Sequence, residues 1–170
     1  MMNLNLMVRT NGFAIFDPGV VEGFFEEDIS GKNLLDLFIS TDIGDEIVKA
    51  GCLVPIINIP KYNYHIIIKD DSEETEKENS VWKENAYFPL LIKNECYIAD
   101  MGAFMEWGAH GQEVIPVKLA INPGMYAVSV KLYNDRDHFE SVADAGYIIE
   151  LSKRDHLPPL TADINDDMIL

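Results

Sequence analysis

Basic side chains are scarce in this chain of 170 residues: 13 Lys and Arg face 29 Asp and Glu, a formal charge of −16. An approaching phosphate backbone would meet net repulsion, which excludes a conventional nucleic-acid binder with its clustered Lys/Arg footprint. Cysteine is scarce as well. Cys52 and Cys96 lie far apart and form no CxxC pair. The first residues, MMNLNLMVRTNGFAIF, place Arg9 after the apolar stretch and show no small-residue cleavage site, so they do not read as a signal peptide. The expectation is two reduced thiols filling core space in a cytoplasmic protein. Long hydrophobic runs are missing too. The most apolar stretch, Leu53 to Pro60, falls far short of the roughly 18 residues of a membrane span.

Sequence motifs that carry chemistry are also lacking. His65, His110, His138 and His156 form no HExxH, no HxH and no Cys/His ligand set. Asp163, Asn165 and Asp167 have calcium-like spacing, but Met168 stands where an EF-hand loop requires its sixth-position glycine. There is no GxSxG, SxxK, GxGxxG or GxxxxGK[ST]. No metal, cofactor or catalytic residue is therefore assigned, and the expectation moves from enzyme towards binding protein.

What the chain does have is apolar residues, 48% of the total with 10% aromatic, enough to build a core and offset the entropy of folding. Period-two alternation dominates. Leu4–Arg9, Gly12–Phe16, Leu53–Ile59, Tyr64–Lys69, Tyr87–Ile92, Cys96–Ala99, Ala103–Trp107 and Gly146–Leu151 all read as short strands. The alternation is clearest around Asn122-Pro123-Gly124-Met125, with Val117, Leu119 and Ile121 before it and Tyr126, Val128, Val130 and Leu132 after it. This predicts a hairpin closed by a type II turn. Asn11-Gly12 is a second hairpin signal, because both residues tolerate positive φ. Asp42–Ala50, stopped by Gly51, reads as a short helix, and Asn33–Ile39 is either helix or strand. The expected fold is all-β: a single-domain antiparallel β-sandwich with at most one or two short helices over residues 1–170.

The acid is unevenly distributed. Asp17–Gly31, Asp70–Asn79 and Asp155 onward carry −5, −5 and −4, while the remainder is nearly neutral. Residues 70–79 read as a protruding acidic loop, and residues 157–170 as an extended tail. Charge runs are usually solvated loops, but concentrated segments can also be interaction features. The candidate partner-binding residues are Asp70, Asp71, Glu73, Glu74, Glu76 and Glu78, with Trp82 as an aromatic anchor. A second candidate is a pocket formed by Trp107 and His110 in a glycine-flanked loop, with Asp100 or Glu106 orienting the imidazole. The plainer reading of that loop is a tight turn. Asp135-Arg136-Asp137-His138 reads as turn caps.

From Phe88 to Leu151 the order of features resembles the competence-associated nuclease inhibitor family of bacteria. The resemblance lies in a strand ending in Lys93-Asn94-Glu95, the INPGMYAVSV segment and a late strand with Gly146-Tyr147-Ile148-Ile149. It implies a small β-sandwich protein that acts by binding, an inhibitor or immunity-type protein whose partner is a basic nuclease or toxin. Two other classes stay open: a ligand-binding or enzymatic β-sandwich using the Trp107/His110 pocket, and an accessory module whose charge serves solubility.

Overall fold

The computed structural model describes residues 1–108, 114–135 and 145–169. The described strands are β1 (Met2–Val8), β2 (Gly12–Phe16), β3 (Leu53–Ile57), β4 (Tyr62–Asp70), β5 (Val81–Ile92), β6 (Cys96–Asp100), β7 (Val117–Leu119), β8 (Gly124–Asn134) and β9 (Ala145–Arg154). They form a five-stranded sheet in the order β1-β4-β9-β8-β5 and a four-stranded sheet in the order β3-β2-β6-β7. The fold is therefore mainly β, with two sheets. One expectation needs correcting: β4 and β9 run parallel, from His65 opposite Gly146 to Asp70 opposite Leu151.

Helix content also exceeds the one or two short helices expected. There are three, α1 (Pro18–Phe24), α2 (Leu34–Ser40) and α3 (Ile43–Lys49), and in addition 3-10 turns between β4 and β5 at Glu76–Ser80 and after β6 at Met101–Phe104. The last of these replaces part of the strand expected at Ala103–Trp107. α1 starts because Asp17 caps it, accepting from the Gly19 amide at 2.9 Å, and Pro18 supplies a helical φ at the first position. Asn33 decides the ambiguous segment in favour of helix by accepting from the Asp36 amide at 3.0 Å. α3 stops at Gly51, whose φ of 76° is left-handed and favours glycine.

The expected hairpin around Pro123 does not form. β7 pairs with β6, placing Val117 opposite Ile98, while β8 pairs with β5 on one edge and β9 on the other. With both edges of β8 occupied, β7 has no place beside it. Gly124 has φ 159°, extended backbone that opens β8, rather than the φ near +80° of a type II turn. Asn11-Gly12 likewise joins strands of different sheets, since β1 pairs with β4 and β2 with β3 and β6. Asn11 does take the positive φ, 54°. The chain uses that freedom to change sheets.

Both sheets contribute to one core. Phe13 of β2 meets Tyr147 of β9 edge-on at 5.5 Å, and Tyr64 of β4 meets the same ring at 5.3 Å. Cys52 and Cys96 are free and buried within it, and burial pushes their thiols up to about 11 and about 12. On the outer side of the four-stranded sheet, Phe16, Phe38 and Trp107 gather around Phe104 under the helices. On the outer side of the five-stranded sheet, Ile67, Tyr133 and Ile148 form a smaller cluster with Val81.

Two buried carboxylates hold the sheet-changing turns. Asp100, 3% exposed, accepts from the amides of Arg9 at 2.7 Å and Thr10 at 2.8 Å with one oxygen, and from Gly102 at 2.9 Å with the other. Asp17, 1% exposed, accepts from Gly19 and, through its second oxygen, from Lys93 at 2.8 Å and Asn94 at 2.7 Å. Each carboxylate thus caps one helical turn and satisfies two amides of a crossing between sheets. Asp17→Ala or Asp100→Ala should each destabilise the fold by about 3 kcal/mol, the cost of leaving several buried amides unpaired. A chemical denaturation midpoint checks this. Asp28→Ala, in an exposed turn, should leave the midpoint nearly unchanged.

Candidate functional site

The acidic segment begins where β4 ends. Asp70 turns the chain by accepting from the Ser72 amide at 2.8 Å, while its own amide donates to Glu73 at 2.9 Å. Thr75 then caps the 3-10 turn Glu76–Ser80, which leads into β5. Expected as a protruding loop, the segment instead lies along the outer side of the five-stranded sheet. The reason is a pair of lysines on that face.

Lys69 of β4 has a side chain only 2% exposed, and Lys131 of β8 is 15% exposed. Two buried ammonium groups are tolerable only with close counter-charges. Glu78, from the 3-10 turn, lies 3.1 Å from Lys69 and 3.4 Å from Lys131. Glu150 of β9 lies 2.5 Å and 2.9 Å from the same two nitrogens. The four side chains sum to zero charge. For both lysines, burial pulls the pKa down, but hydrogen bonds and attraction from Glu150 and Glu78 outweigh it and hold the pKa above the ordinary 10.5. Burial pushes the Glu150 carboxyl up, yet the two lysines keep it below its ordinary 4.5.

The other sequence candidates in this segment divide into two groups. Asp71 accepts from the Ser152 hydroxyl, and Glu73 pairs with the amino terminus. Glu74 and Glu76 are exposed, and neither makes an ion pair among the described residues. Trp82 follows the 3-10 turn at an irregularity in the β5–β8 register and is 52% exposed. Glu74, Glu76 and Trp82 are thus the accessible members of the candidate set.

Around the alternative pocket, the structure gives packing and capping roles to the residues it describes. Trp107 is 6% exposed, stacks on Phe104 at 5.5 Å and donates from Nε1 to Glu22 at 3.2 Å. Asp100 is the turn-holding carboxylate above. Glu106 is exposed. His110 lies outside the described residues, as do Asp137 and His138. Among the described residues no three His, Cys, Asp or Glu side chains come together to hold a metal ion, and no helix is long and apolar enough to cross a membrane.

The three acidic segments do not converge. In the first, Asp17 is internal and Glu27 pairs with Lys32 at 2.8 Å beside the helices. The second lies across the outer side of the five-stranded sheet. The third is strapped to β5: Thr161 and Ala162 donate to the Tyr87 carbonyl at 3.0 and 3.1 Å, and Asn85 exchanges two hydrogen bonds with Asp163. Further along, Asp166 pairs with Lys83, and the Met168 carbonyl accepts from Tyr147 at 2.7 Å.

No family model and no curated protein matches the sequence. Among solved structures the chain is similar to ComJ from Bacillus subtilis, an inhibitor of the DNA degrading activity of NucA. The TM-score is 0.53 at 13% identity, covering 91% of this chain and 96% of that one. It is also similar to the crocagin biosynthetic gene J protein, with a TM-score of 0.47 at 12% identity, covering 90% and 99%. The likeness to ComJ is one of fold.

The lysine–glutamate cluster makes its own prediction. Glu150→Gln should destabilise the protein by about 3 kcal/mol, because Lys69 stays buried with one counter-charge removed. In the intact protein, Glu150 has a depressed pKa, so its contribution is present above 4.5 and is lost as pH falls below that value. The raised lysines contribute fully below 10.5 and lose that contribution as pH climbs past it. Thermal melts across the pH range should show a plateau between those limits, and the acid limb should shrink in Glu150→Gln.

Proposed function

We propose that this chain is an acidic, inhibitor-type binding protein that occludes the basic cleft of a nuclease or of a toxin with similar surface chemistry. The observation that carries this reading is the fold shared, across most of both chains, with an inhibitor of a DNA-degrading enzyme. Charge supplies the mechanism. A nuclease must present cationic groups to hold phosphates, and a chain of net charge −16 is drawn to such a cleft from a distance. Long-range attraction of this kind sets the association rate, while desolvated anchors set the lifetime of the complex.

The surface assigned to this role is the outer edge of the acidic segment. Glu74 and Glu76 are exposed and make no ion pair among the described residues, and Trp82 offers an exposed aromatic body beside the same turn. Asp70, Asp71, Glu73 and Glu78 shape the segment that presents them. Trp is well suited to such an anchor because it buries a large area at small entropic cost.

Inhibition of DNA degradation tests the proposal, using fractionated basic nucleases of the source cell with and without the purified chain. At least one fraction should be inhibited stoichiometrically, with association slowing at least tenfold between about 50 mM and about 500 mM salt. Glu74→Lys with Glu76→Lys should weaken that inhibition about tenfold, and Trp82→Ala by a similar factor. Inhibition of no fraction, or inhibition indifferent to salt, would sink the proposal.

A further inference from the structure

A cleft of about 420 Å³ opens on the other side of the molecule, between α2, α3, the outer face of β3 and the carboxy-terminal strap. Its floor follows from the strand period: Leu53, Pro55 and Ile57 point the same way, while Val54 and Ile56 face the core. α2 adds Phe38 and, at the lip, Ile39, which is 73% exposed. Each helix has only seven residues, about 10 Å in length, so the pair leaves part of the β3 face open. The strap closes one end with Ile164.

The rim is polar and anionic. Asn11 donates to Asn58 at 3.0 Å, and Asn58 donates in turn to Asp167 at 2.7 Å, tying the strap to the cleft. Asp45 lines it directly. Asp167 reaches its edge through Asn58, and the two helices that wall it carry Asp36, Asp42, Asp45 and Glu46 against Lys49. None of these acids is in an ion pair among the described residues. The helical part of this charge was invisible in the segment sums, because the helices fall within a stretch that is nearly neutral when taken whole.

We propose that the cleft receives one or two apolar side chains of a protein partner, carried on a segment whose flanking residues are Lys or Arg. An anionic segment would be repelled by the rim, and a neutral one would gain nothing from it. An apolar anchor flanked by complementary charge is an arrangement that gives both residence time and selectivity. The inference rests on the reading of the chain as a binder of basic proteins, and it adds a second, chemically distinct contact to the Glu74/Glu76/Trp82 surface.

Fluorescence anisotropy with three labelled synthetic peptides tests it: Lys-Arg-Leu-Phe-Lys-Arg, Lys-Arg-Ser-Ser-Lys-Arg and Gln-Gln-Leu-Phe-Gln-Gln. The first should bind at least tenfold more tightly than either of the others. Ile39→Lys and Asp45→Lys, both at exposed positions, should each weaken it at least tenfold with unchanged melting temperature, while Glu74→Lys with Glu76→Lys leaves it unaltered. Equal binding of the Leu-Phe and Ser-Ser basic peptides would show attraction by charge alone and overturn the proposal. Equal or tighter binding of the neutral peptide would make this a site for uncharged apolar matter, and would also overturn it. So would binding that survives both cleft substitutions. A failed peptide experiment with nuclease inhibition intact removes only the cleft, whereas lost inhibition with peptide binding intact removes only the nuclease reading.

Discussion

Buried carboxylates that gather backbone amides are the constraint on which this fold depends. A chain that alternates between two sheets must turn sharply where strand pairing ends, and the amides of those turns face inward without a ladder partner. Asp100 takes up the amides of Arg9 and Thr10 between β1 and β2, and Asp17 those of Lys93 and Asn94 between β5 and β6. The other oxygen of each carboxylate starts the Met101–Phe104 turn and α1 respectively. One side chain therefore sets both the path of a crossing and the direction of the element beside it. Phe104 and Trp107 can then pack over Phe16 because the turn that delivers them is fixed at Asp100. Buried polar groups specify a structure in this way only when every member is satisfied.

The same economy governs the charge. A formal −16 suggests a uniformly acidic surface, but the carboxylates do several jobs. Asp17 and Asp100 are internal. Glu78 and Glu150 neutralise Lys69 and Lys131 on the face opposite the helices. Asp163, Asp166 and Asp167 strap the tail to β5 and Asn58. Glu74, Glu76 and the acids of α2 and α3 are exposed and make no ion pair among the described residues. They lie on two sides of the molecule, so long-range attraction comes from the whole chain while contact is local.

Strand identity was legible in the sequence because alternation is a local property. Leu53–Ile57 and Tyr62–Asp70, which carry apolar runs in place of strict alternation, are marked just as locally by β-branched and aromatic residues between turn signals. Pairing was not legible, because period two shows which face of a strand is buried and says nothing of its neighbour. The Val117–Leu132 region shows the difference: both halves contain strands, and they join different sheets. α1 was overlooked although Asp17-Pro18 is a helix-start signal, since its seven residues bury only Val20 and Val21 and give little periodicity. In the candidate site, composition located the acids. It could not tell Glu78, which reaches two lysines from distant strands, from Glu76, which makes no ion pair among the described residues.

Amide hydrogen exchange tests the central claim most directly. If Asp17 and Asp100 hold the crossings, the amides of Arg9, Thr10, Lys93 and Asn94 should exchange only through opening events close to global unfolding in free energy, despite their place in turns. Exchange at the rates of ordinary exposed loop amides, in a protein whose strand amides remain protected, would contradict it.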